Sequence, residues 1–359
     1  MEKKKRGVLY MKKKMWMSLI LGASMALAAG CGNDAGSTGT NGTSGGEGGD
    51  VAGEKKAYTI AISQYVEHPS LDATREGFIA ALKDGGLVEE DNLKIDLNNA
   101  QADAANNLSI AQKIATDKSD LVLGIATPSA QAVVQQVKDK PVLFAAVTDP
   151  LDAKLVTNLE KPGGNVTGAS DTNPEAIKTL ASFIAKQMPE IKKVGLVLNE
   201  GEANAVVMAG NAEAAFKEYD IELIKASVTN TSEVQQAADS LVSKVDALYI
   251  TLDNTVVSAV DTIIKIANDK DIPFFSSDRD TVEKGAFATV GFKYFDHGYQ
   301  VGEMAVDILK NGANPADLAI TVPDKLDLIL NLSAAAEQGI EVTEEMKASV
   351  TDQETNIIQ

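Results

Sequence analysis

Short runs rich in β-branched residues alternate with longer helical patterns from residue 57 onwards, and this alternation constrains the fold more than any other feature. It is typical of parallel sheets that carry helices on both faces. The predicted strands are Tyr58–Ser63, Leu93–Ala100, Leu121–Ala126, Val142–Ala146, Lys193–Leu198, Ile221–Ala226, Ala247–Leu252 and Pro273–Ser276. The predicted helices are Leu71–Asp84, Ala104–Asp117, Ser129–Val137, Pro174–Met188, Ala203–Tyr219, Ser232–Val245 and Thr255–Asn268. The predicted fold class is therefore α/β, with two doubly wound parallel-sheet lobes.

The two halves of this pattern repeat each other in one segment. The stretch DLVLGIATPSAQAV from Asp120 matches DALYITLDNTVVSAV from Asp246 in layout, with an Asp, an apolar strand, a polar triplet and then a helix. Thr127 is the predicted N-cap, Pro128 the first helical residue and Asp253 the matching cap. Each triplet lies at the carboxyl end of a strand, where open α/β sheets bind ligands. Each residue alone is explained equally well as a helix cap, but together they predict a ligand cleft between the lobes.

The segment that follows the second half is predicted to return to the first lobe. Residues 291–320 are predicted as one long helix, Asp327–Leu332 as a last strand, and Gly163–Asn165 as a turn before the first crossing. Several crossings side by side would form a multi-crossing hinge. The predicted organisation is a signal peptide at 1–30, a tether at 31–56, one lobe from 57–169 and 293–321, and a second lobe from 170–292 and 322–359.

The N-terminus predicts export. A Lys-rich start precedes an uncharged apolar run from Met15 to Ala28, which is typical of a secretory signal and too short for a transmembrane helix. Met11 is an alternative start. Cys31 is the only cysteine and follows Leu27-Ala28-Ala29-Gly30, which resembles the bacterial lipobox except that Leu27 lies one place further out than usual. We therefore expect lipidation of Cys31, which anchors the protein to the outer face of the bacterial cell membrane. Residues 32–54 are rich in Gly, Ser and Thr and predict a flexible tether.

Charge and motifs exclude several classes of protein. The formal net charge is −18, and a surface so negative argues against nucleic acid as a partner, because phosphate contacts need Lys and Arg. The sequence holds no Walker loop, no GxGxxG after the first strand, no GxSxG and no HExxH. The two histidines, His68 and His297, lie far apart in sequence, and His297 is interpreted as a packing or surface residue. We expect no metal, no cofactor and no enzymatic activity, although two carboxylates brought together by the fold would suffice for acid–base chemistry.

Several stretches carry a family resemblance when they are taken together. They are QYVEHPSLDATREGF from Gln64, IATPSAQA from Ile125, AVTDP from Ala146, KPGGNVTGASD from Lys161, and GFKYFDHGYQVGEMAVDILKNGANPAD from Gly291. The set resembles the ABC-transporter substrate-binding lipoproteins of the tryptophan/tyrosine-binding type, over about residues 57–339. The resemblance implies a type I periplasmic-binding-protein fold with three crossings. It also implies a ligand, usually an aromatic amino acid, that is captured between the lobes and delivered to ABC permease subunits.

The residues are compatible with a zwitterionic ligand. Backbone N–H groups after Thr127, at a helix N-terminus, and the hydroxyls of Thr127, Ser129 and Thr148 suit a carboxylate. Asp149, Asp171 or Asp278 suits an ammonium group, and Asp278 is the first choice because it follows a strand of the facing lobe. Tyr65 could stack on a ligand ring. The candidate ligand-binding residues are Gln64, Tyr65, His68, Ser70, Thr127, Pro128, Ser129, Ala130, Thr148, Asp149, Asp171, Asp253, Asn254, Ser277 and Asp278.

Two other functions remain open from the sequence. The same fold could bind a sugar, a nucleoside or a signalling ligand for a sensor. Sugar sites favour ring-stacking aromatics, and the single Trp, Trp16, lies in the predicted signal peptide. An enzyme on the same layout is the third reading, and turnover rather than tight stoichiometric binding would distinguish it.

Overall fold

The computed structural model describes residues 56–359. The strands are β1 Tyr58–Gln64, β2 Leu93–Asn99, β3 Leu121–Ile125, β4 Val142–Val147, β5 Val166–Ser170, β6 Lys193–Leu198, β7 Glu222–Ser227, β8 Ala247–Ile250, β9 Phe274–Ser276, β10 Ala288–Gly291, β11 Asp327–Asn331 and β12 Ile357–Ile358. The helices are α1 Pro69–Asp84, α2 Ala104–Thr116, α3 Thr127–Gln136, α4 Pro174–Gln187, α5 Ala203–Lys217, α6 Val234–Val242, α7 Asn254–Val257, α8 Val260–Asp269, α9 Arg279–Lys284, α10 Tyr294–Asn311, α11 Leu332–Glu337, α12 Glu344–Ala348 and α13 Gln353–Asn356. No helix among these residues is long and apolar enough to span a bilayer.

The first sheet has five parallel strands in the order β2-β1-β3-β4-β5. Its inner strands β3 and β4 are apolar and buried on both faces because helices cover both. Phe78 of α1 and Val301 of α10 belong to the core on one face, and Ile114 of α2 and Val133 of α3 to the core on the other. We call this sheet with its helices lobe 1.

The second sheet has seven strands in the order β12-β11-β10-β9-β8-β6-β7, and all its pairs are parallel except β10 with β11. Leu180 of α4 and Phe216 of α5 pack in the core on one face. Leu241 of α6 and Ile263 of α8 pack in the core on the other. This sheet with its helices is lobe 2, and the predicted fold class of two doubly wound α/β lobes is confirmed.

The repeat seen in the sequence is present in the structure. Asp120 precedes β3, and its carboxylate accepts a hydrogen bond from the N–H of Thr59. Asp246 precedes β8, and its carboxylate accepts from the N–H groups of Lys192 and Lys193. The two Asp residues therefore fasten equivalent neighbouring strands at the amino ends of the two sheets.

The chain passes between the lobes three times. The crossing segments are residues 171–173 after β5, residues 292–293 after β10, and residues 322–326 before β11. The bridge between Ala169 and Thr321 brings the first and third crossings together on the lobe 1 side. Rotation of the lobes would be absorbed by these short segments.

Several predicted elements differ from the observed ones. The long helix predicted from residue 291 begins at Tyr294 and ends at Asn311, where Gly312 adopts a left-handed conformation with φ of 71°. The helix predicted over Thr255–Asn268 is divided into α7 and α8. The start of the helix predicted at Ser232 is a 3₁₀ turn, Thr231–Glu233. The predicted signal peptide, the lipidation site Cys31 and the tether up to residue 55 lie outside the described residues.

Candidate functional site

The two lobes touch at the carboxyl ends of their strands. The Ser70 hydroxyl, at the start of α1 in lobe 1, donates to Oδ1 of Asp278 in lobe 2 at 3.1 Å. Nε2 of His68 lies 3.4 Å from Oδ1 of Asn254, which is the first residue of α7 in lobe 2. The cleft between the lobes is therefore closed.

A small polar cavity, about 20 Å³ in volume, lies at this contact. Its lining comes from both lobes and from α10. The lining residues are His68, Ser70, Leu71, Ala146, Thr148, Asp171, Asn204, Leu252, Asn254, Val257, Asp278 and Tyr294. This lining, which belongs wholly to the described part of the chain, includes two carboxylates and an imidazole but no Lys or Arg.

A second, mostly apolar cavity of about 30 Å³ adjoins the first, and we call it the apolar chamber. It lies against the α4 and α5 side of the lobe 2 sheet. Its apolar lining includes Ile177, Leu180, Met208, Tyr249, Val290, Phe292 and Leu326. Asp171, Phe292 and Leu326 belong to the three crossing segments, so the hinge forms one wall of the chamber.

Asp171 and Leu252 line both cavities. The Asp171 carboxylate is buried and accepts a hydrogen bond from the Tyr294 hydroxyl at 3.0 Å. Burial raises the pKa of Asp171 to about 6, and the hydroxyls of Tyr294 and Thr172 oppose that increase. A carboxylate at the junction of a polar and an apolar cavity suits a ligand in which a cationic group is attached to an apolar side chain.

The Asp278 carboxylate is more heavily engaged by the protein than Asp171. It caps α9 by accepting from the N–H of Thr281 at 2.7 Å, and it also accepts from the hydroxyls of Thr281, Ser276 and Ser70. Asp278 therefore holds lobe 1 and lobe 2 together in this closed state.

Two more buried acids, Asp253 and Glu202, lie behind the cleft on lobe 2. Asp253 caps α7 and accepts from the N–H groups of Asn199 and Val256. Burial, followed by the nearby negative charge of Glu202, raises the pKa of Asp253 to about 8. Asp253 is the predicted helix cap.

Two buried polar atoms in the lining of the polar cavity have no hydrogen-bond partner. They are Nδ1 of His68 and Oδ1 of Asn204. Buried polar groups without a partner are uncommon in folded proteins.

The remaining predicted residues of the first loop serve the structure of lobe 1. Gln64 is fully buried, its amide nitrogen donates to Val66 and Asp72, and its oxygen accepts from Arg75. The Tyr65 hydroxyl donates to the carbonyl of Ala102 at 3.2 Å, and the ring packs in the lobe 1 core. Neither residue lines the two cavities.

The Thr127–Ala130 segment differs from its predicted geometry. The N-cap of α3 is Ala126, with φ of 76° and no side-chain hydrogen bond to the helix. Thr127 is therefore the first helical residue rather than the N-cap, and Pro128 is the second. A positive φ at Ala126 is a strained conformation that the turn between β3 and α3 imposes. Ser129 donates to Oδ1 of Asn107, and Ala130 packs in the core.

Thr127 and Asp149 do reach the boundary between the lobes. They line a narrow crevice together with Ala203 and Asn204 of α5. The Asp149 carboxylate accepts from the N–H groups of Leu151 and Asp152, so it stabilises its own turn. Thr148 and Asn254 line the polar cavity, and Ser277 lines the apolar chamber beside the Tyr249 hydroxyl, with which it is hydrogen-bonded.

Three polar residues in or directly behind the lining of the polar cavity were not predicted from the sequence, namely Glu202, Asn204 and Tyr294. Glu202 and Asn204 follow β6, and the rule that ligands bind at the carboxyl ends of strands, applied to β6, would have identified them. Tyr294 lies in a segment interpreted as hinge helix, and only the packing of α10 onto lobe 1 brings its hydroxyl to Asp171.

A larger and more open cavity, of about 710 Å³, lies on the other side of Phe292. Lys293, Asp296, Asp324 and Lys325 in its lining are exposed. Of the predicted ligand-binding residues, none lines it. No three His, Cys, Asp or Glu side chains among residues 56–359 are placed to hold a metal ion.

A family model described as "ABC transporter substrate binding protein" matches residues 59–354. The chain belongs to this family. Members are solute-binding proteins, and those of ABC importers act outside the cytoplasm. The resemblance seen in the sequence is thus confirmed.

One curated relative is the "Tyrosine-binding protein" of Clostridioides difficile (strain R20291), which is 39% identical over 327 residues, or 89% of this chain and 91% of that protein. A solved structure from Streptococcus pneumoniae, titled an ABC domain in complex with L-Trp, is 32% identical and superposes with a TM-score of 0.78 over 85% of this chain and all of that one (100%).

A third relative bears on the state of the lobes. It is a substrate-binding protein with adhesive properties from Clostridium difficile, solved ligand-free and open, and it covers 84% of this chain and 98% of its own length. Its identity is 38%, higher than that of the Trp complex, yet its TM-score is only 0.61. The present structure therefore superposes better on the Trp complex than on the open, ligand-free protein, in agreement with its closed cleft.

Proposed function

We propose that this substrate-binding protein captures an aromatic amino acid, tyrosine or tryptophan, between its two lobes and delivers it to an ABC permease. The observation that carries the proposal is the position of Asp171 at the junction of the polar cavity and the apolar chamber. An amino acid with a large apolar side chain has that same division into a charged head and an apolar body. The names of the tyrosine-binding relative and of the Trp complex support the choice of ligand.

In the proposed mode, the charged head of the ligand occupies the polar cavity. The acidic lining attracts the ammonium group, and the hydroxyl of Thr148 lines the same space and can donate to the carboxylate. The side chain occupies the apolar chamber among Leu180, Met208 and Phe292. Volumes of about 20 and 30 Å³ admit only one or a few waters, so the lobes must open and the hinge wall must move before an amino acid enters.

The same proposal assigns the segments outside the fold. Residues 1–30 are a signal peptide, Cys31 is lipidated, and residues 31–56 tether the protein to the outer face of the bacterial cell membrane. The ligand-binding lobes comprise residues 57–169 with 293–321, and 170–292 with 322–359. Anchoring keeps the receptor close to the permease that accepts its ligand. Radiolabelled palmitate should therefore enter the wild-type protein in cells and should not enter Cys31→Ala.

Calorimetry on the purified protein, freed of carried-over ligand by partial unfolding, tests the ligand class. The panel contains the common amino acids, sugars and nucleosides. We expect binding of tyrosine or tryptophan with one ligand per chain, and at 100 times its Kd the ligand should add about 2.7 kcal/mol to the free energy of unfolding. Binding only of sugars or nucleosides would refute the ligand class, and catalytic conversion of a bound solute would refute the receptor function.

A pair of variants on α5 tests the place of the side chain. Met208→Trp fills the apolar chamber and should abolish binding of tyrosine and tryptophan. Val206 lies on the same helix, is 49% exposed and does not line the chamber, so Val206→Trp is the matched control and should bind as the wild type does. Equal affinities in the two variants would remove the chamber from the binding site.

A further inference from the structure

Glu202 is a buried carboxylate at the centre of a hydrogen-bond network behind the polar cavity. It is 3% exposed and precedes α5. Its oxygens accept from the backbone N–H and the side-chain amide of Asn254, from the N–H and hydroxyl of Thr255, and from the side-chain amide of Asn204. A carboxylate surrounded by donors fixes the orientation of every amide that contacts it.

The first amide whose orientation is fixed is that of Asn204. Its nitrogen donates to Glu202 at 3.2 Å and to the carbonyl oxygen of Leu252 at 2.7 Å. Both contacts are with acceptors, so the nitrogen cannot exchange places with the oxygen. The oxygen of Asn204 is therefore left as a buried acceptor without a partner, in a residue that lines the polar cavity.

The second effect of Glu202 reaches lobe 1 through Asn254. The Asn254 nitrogen donates to Glu202 at 2.6 Å, which leaves its oxygen to face Nε2 of His68 at 3.4 Å. Because that oxygen can only accept, Nε2 of His68 carries the proton. In the neutral ring Nδ1 is then a bare acceptor, and Nδ1 is the His68 atom that has no partner.

We propose that Glu202 is a positioning residue which sets Asn204 Oδ1 and His68 Nδ1 as acceptors for the ammonium group of the ligand, one from each lobe. This inference rests on the proposed amino-acid ligand and adds to it the groups that read the ligand's amino end. An ammonium group has three N–H donors, and a lining whose unpartnered atoms are all acceptors is complementary to it. The contact with His68 requires Asn254 of the opposite lobe, so amino-group recognition forms only when the lobes close.

The charges around His68 agree with this arrangement. Asp278, Asp72 and Glu202 are the charged groups that act on its ring, and all three are negative. They would hold a proton on the ring, but burial outweighs them and lowers the pKa of His68, so the ring is neutral and Nδ1 is free to accept. The Asp278 carboxylate already accepts from Thr281, Ser276 and Ser70, so it has little capacity left for a ligand.

Nitrogen NMR of the wild-type protein, labelled with ¹⁵N-histidine and saturated with whichever solute of the panel it binds, tests the orientation directly because the lobes are then closed. The sequence has two histidines, and the second serves as an internal control. His297 accepts the N–H of Ala146 at Nε2, so it should be the Nδ1–H tautomer, whereas His68 should be the Nε2–H tautomer. A His68 signal of the Nδ1–H form, or of a doubly protonated ring at pH 7.5, would overturn the inference whatever the protein binds.

Affinity measurements with paired ligands test the recognition step. L-Tyrosine and L-tryptophan are compared with desaminotyrosine and indole propionate, which lack the amino group. Glu202→Gln introduces a donor into the network and should weaken binding of the amino acids at least tenfold, while affinity for the desamino analogues changes less than twofold. Glu200→Gln, in the same loop and exposed, is the matched control and should behave as the wild type.

The outcomes separate the inference from the proposed function. If the wild type binds neither aromatic amino acid, the proposed function is refuted. The histidine tautomers then still test separately whether Glu202 fixes the orientation of Asn254 and His68. If it binds both and Glu202→Gln weakens amino acids and desamino analogues equally, the ligand class stands and the role of Glu202 is refuted. Should Glu202→Gln fail to fold, Asn204→Leu removes one acceptor and must show the same selective loss.

Discussion

The backbone N–H of Ala146 donates to Nε2 of His297 at 3.0 Å, across 151 positions of sequence. Ala146 lies in β4 with φ of 53°, an unusual value for a residue with a side chain, and it lines the polar cavity. His297 is buried in α10, the long helix that follows the second crossing. The hydrogen bond therefore links the strained strand beside the cleft to a helix that leaves the hinge.

This link predicts a pH-dependent stability. Burial lowers the pKa of His297 from 6.5 to about 4, so the folded protein favours the neutral ring. The unfolded chain binds a proton below pH 6.5 and the folded one does not, so this stabilisation is complete above pH 6.5 and is lost as the pH falls towards 4. Urea unfolding at pH 7 and 4.5 should show that the wild type loses about 2.4 kcal/mol relative to His297→Gln. Other buried groups titrate in both proteins and cancel in this difference, and an unchanged difference would contradict the prediction.

Two glycines predict opposite effects of the same substitution. A Cβ on Gly298 of α10 would lie 1.9 Å from the carbonyl oxygen of Thr74 in α1, so Gly298→Ala must push the two helices apart. We expect a loss of about 2 kcal/mol in the free energy of unfolding. Gly210 of α5 has no atom within 4 Å of such a Cβ, so Gly210→Ala should gain about 1 kcal/mol from helix propensity. Thermal unfolding of both variants decides the matter, and destabilisation of similar size in both would disprove the close-approach argument.

Asp171 predicts that ligand affinity falls in acid. Burial raises its pKa to about 6, and an ammonium group nearby favours the ionised form. Below pH 6 the proton must leave Asp171 before the cation is bound well, so affinity for tyrosine or tryptophan should fall about tenfold between pH 7 and pH 5. Calorimetry across this range should give a shallower dependence for Asp171→Asn, and identical slopes in the two proteins would exclude Asp171 as the titrating group.

Removal of the Ser70 hydroxyl should weaken closure of the lobes without changing which ligand is preferred. The hydroxyl donates across the cleft to Asp278, and Ser70→Ala removes that bond between the lobes. We expect a loss of about 1 kcal/mol, or roughly fivefold in Kd, for all bound amino acids alike. Small-angle scattering should show a larger radius of gyration for the ligand-free variant. Ser109, exposed on α2, bonds only within its own helix, so Ser109→Ala should leave both quantities unchanged.

The fold followed from the sequence because its signals are local. Apolar runs such as Leu121–Ile125 and the Asp residues at 120 and 246 mark the strands and the repeat without any knowledge of the tertiary structure. The break between α7 and α8 was not foreseen, since the apolar spacing runs through it. The cap of α7 is Asp253, as the sequence predicts.

The candidate site was only partly predictable, for a physical reason. The rule about carboxyl ends of strands placed His68, Ser70, Asn254 and Asp278 near the cleft, and these residues do line the polar cavity. The rule does not say which polar groups the protein satisfies itself. Gln64 and Tyr65 were predicted as ligand contacts, but their side chains are hydrogen-bonded within lobe 1, to Arg75 of the same motif and to the carbonyl of Ala102.

The hinge segments also form one wall of the apolar chamber, through Asp171, Phe292 and Leu326. In the proposed binding mode, a side chain in the chamber presses on the segments about which the lobes rotate. The bulk of that side chain then sets the angle at which closure stops, so phenol and indole rings would leave the lobes in measurably different arrangements. A permease that docks onto both lobes would thereby sense the identity of the cargo from the outside, without touching it.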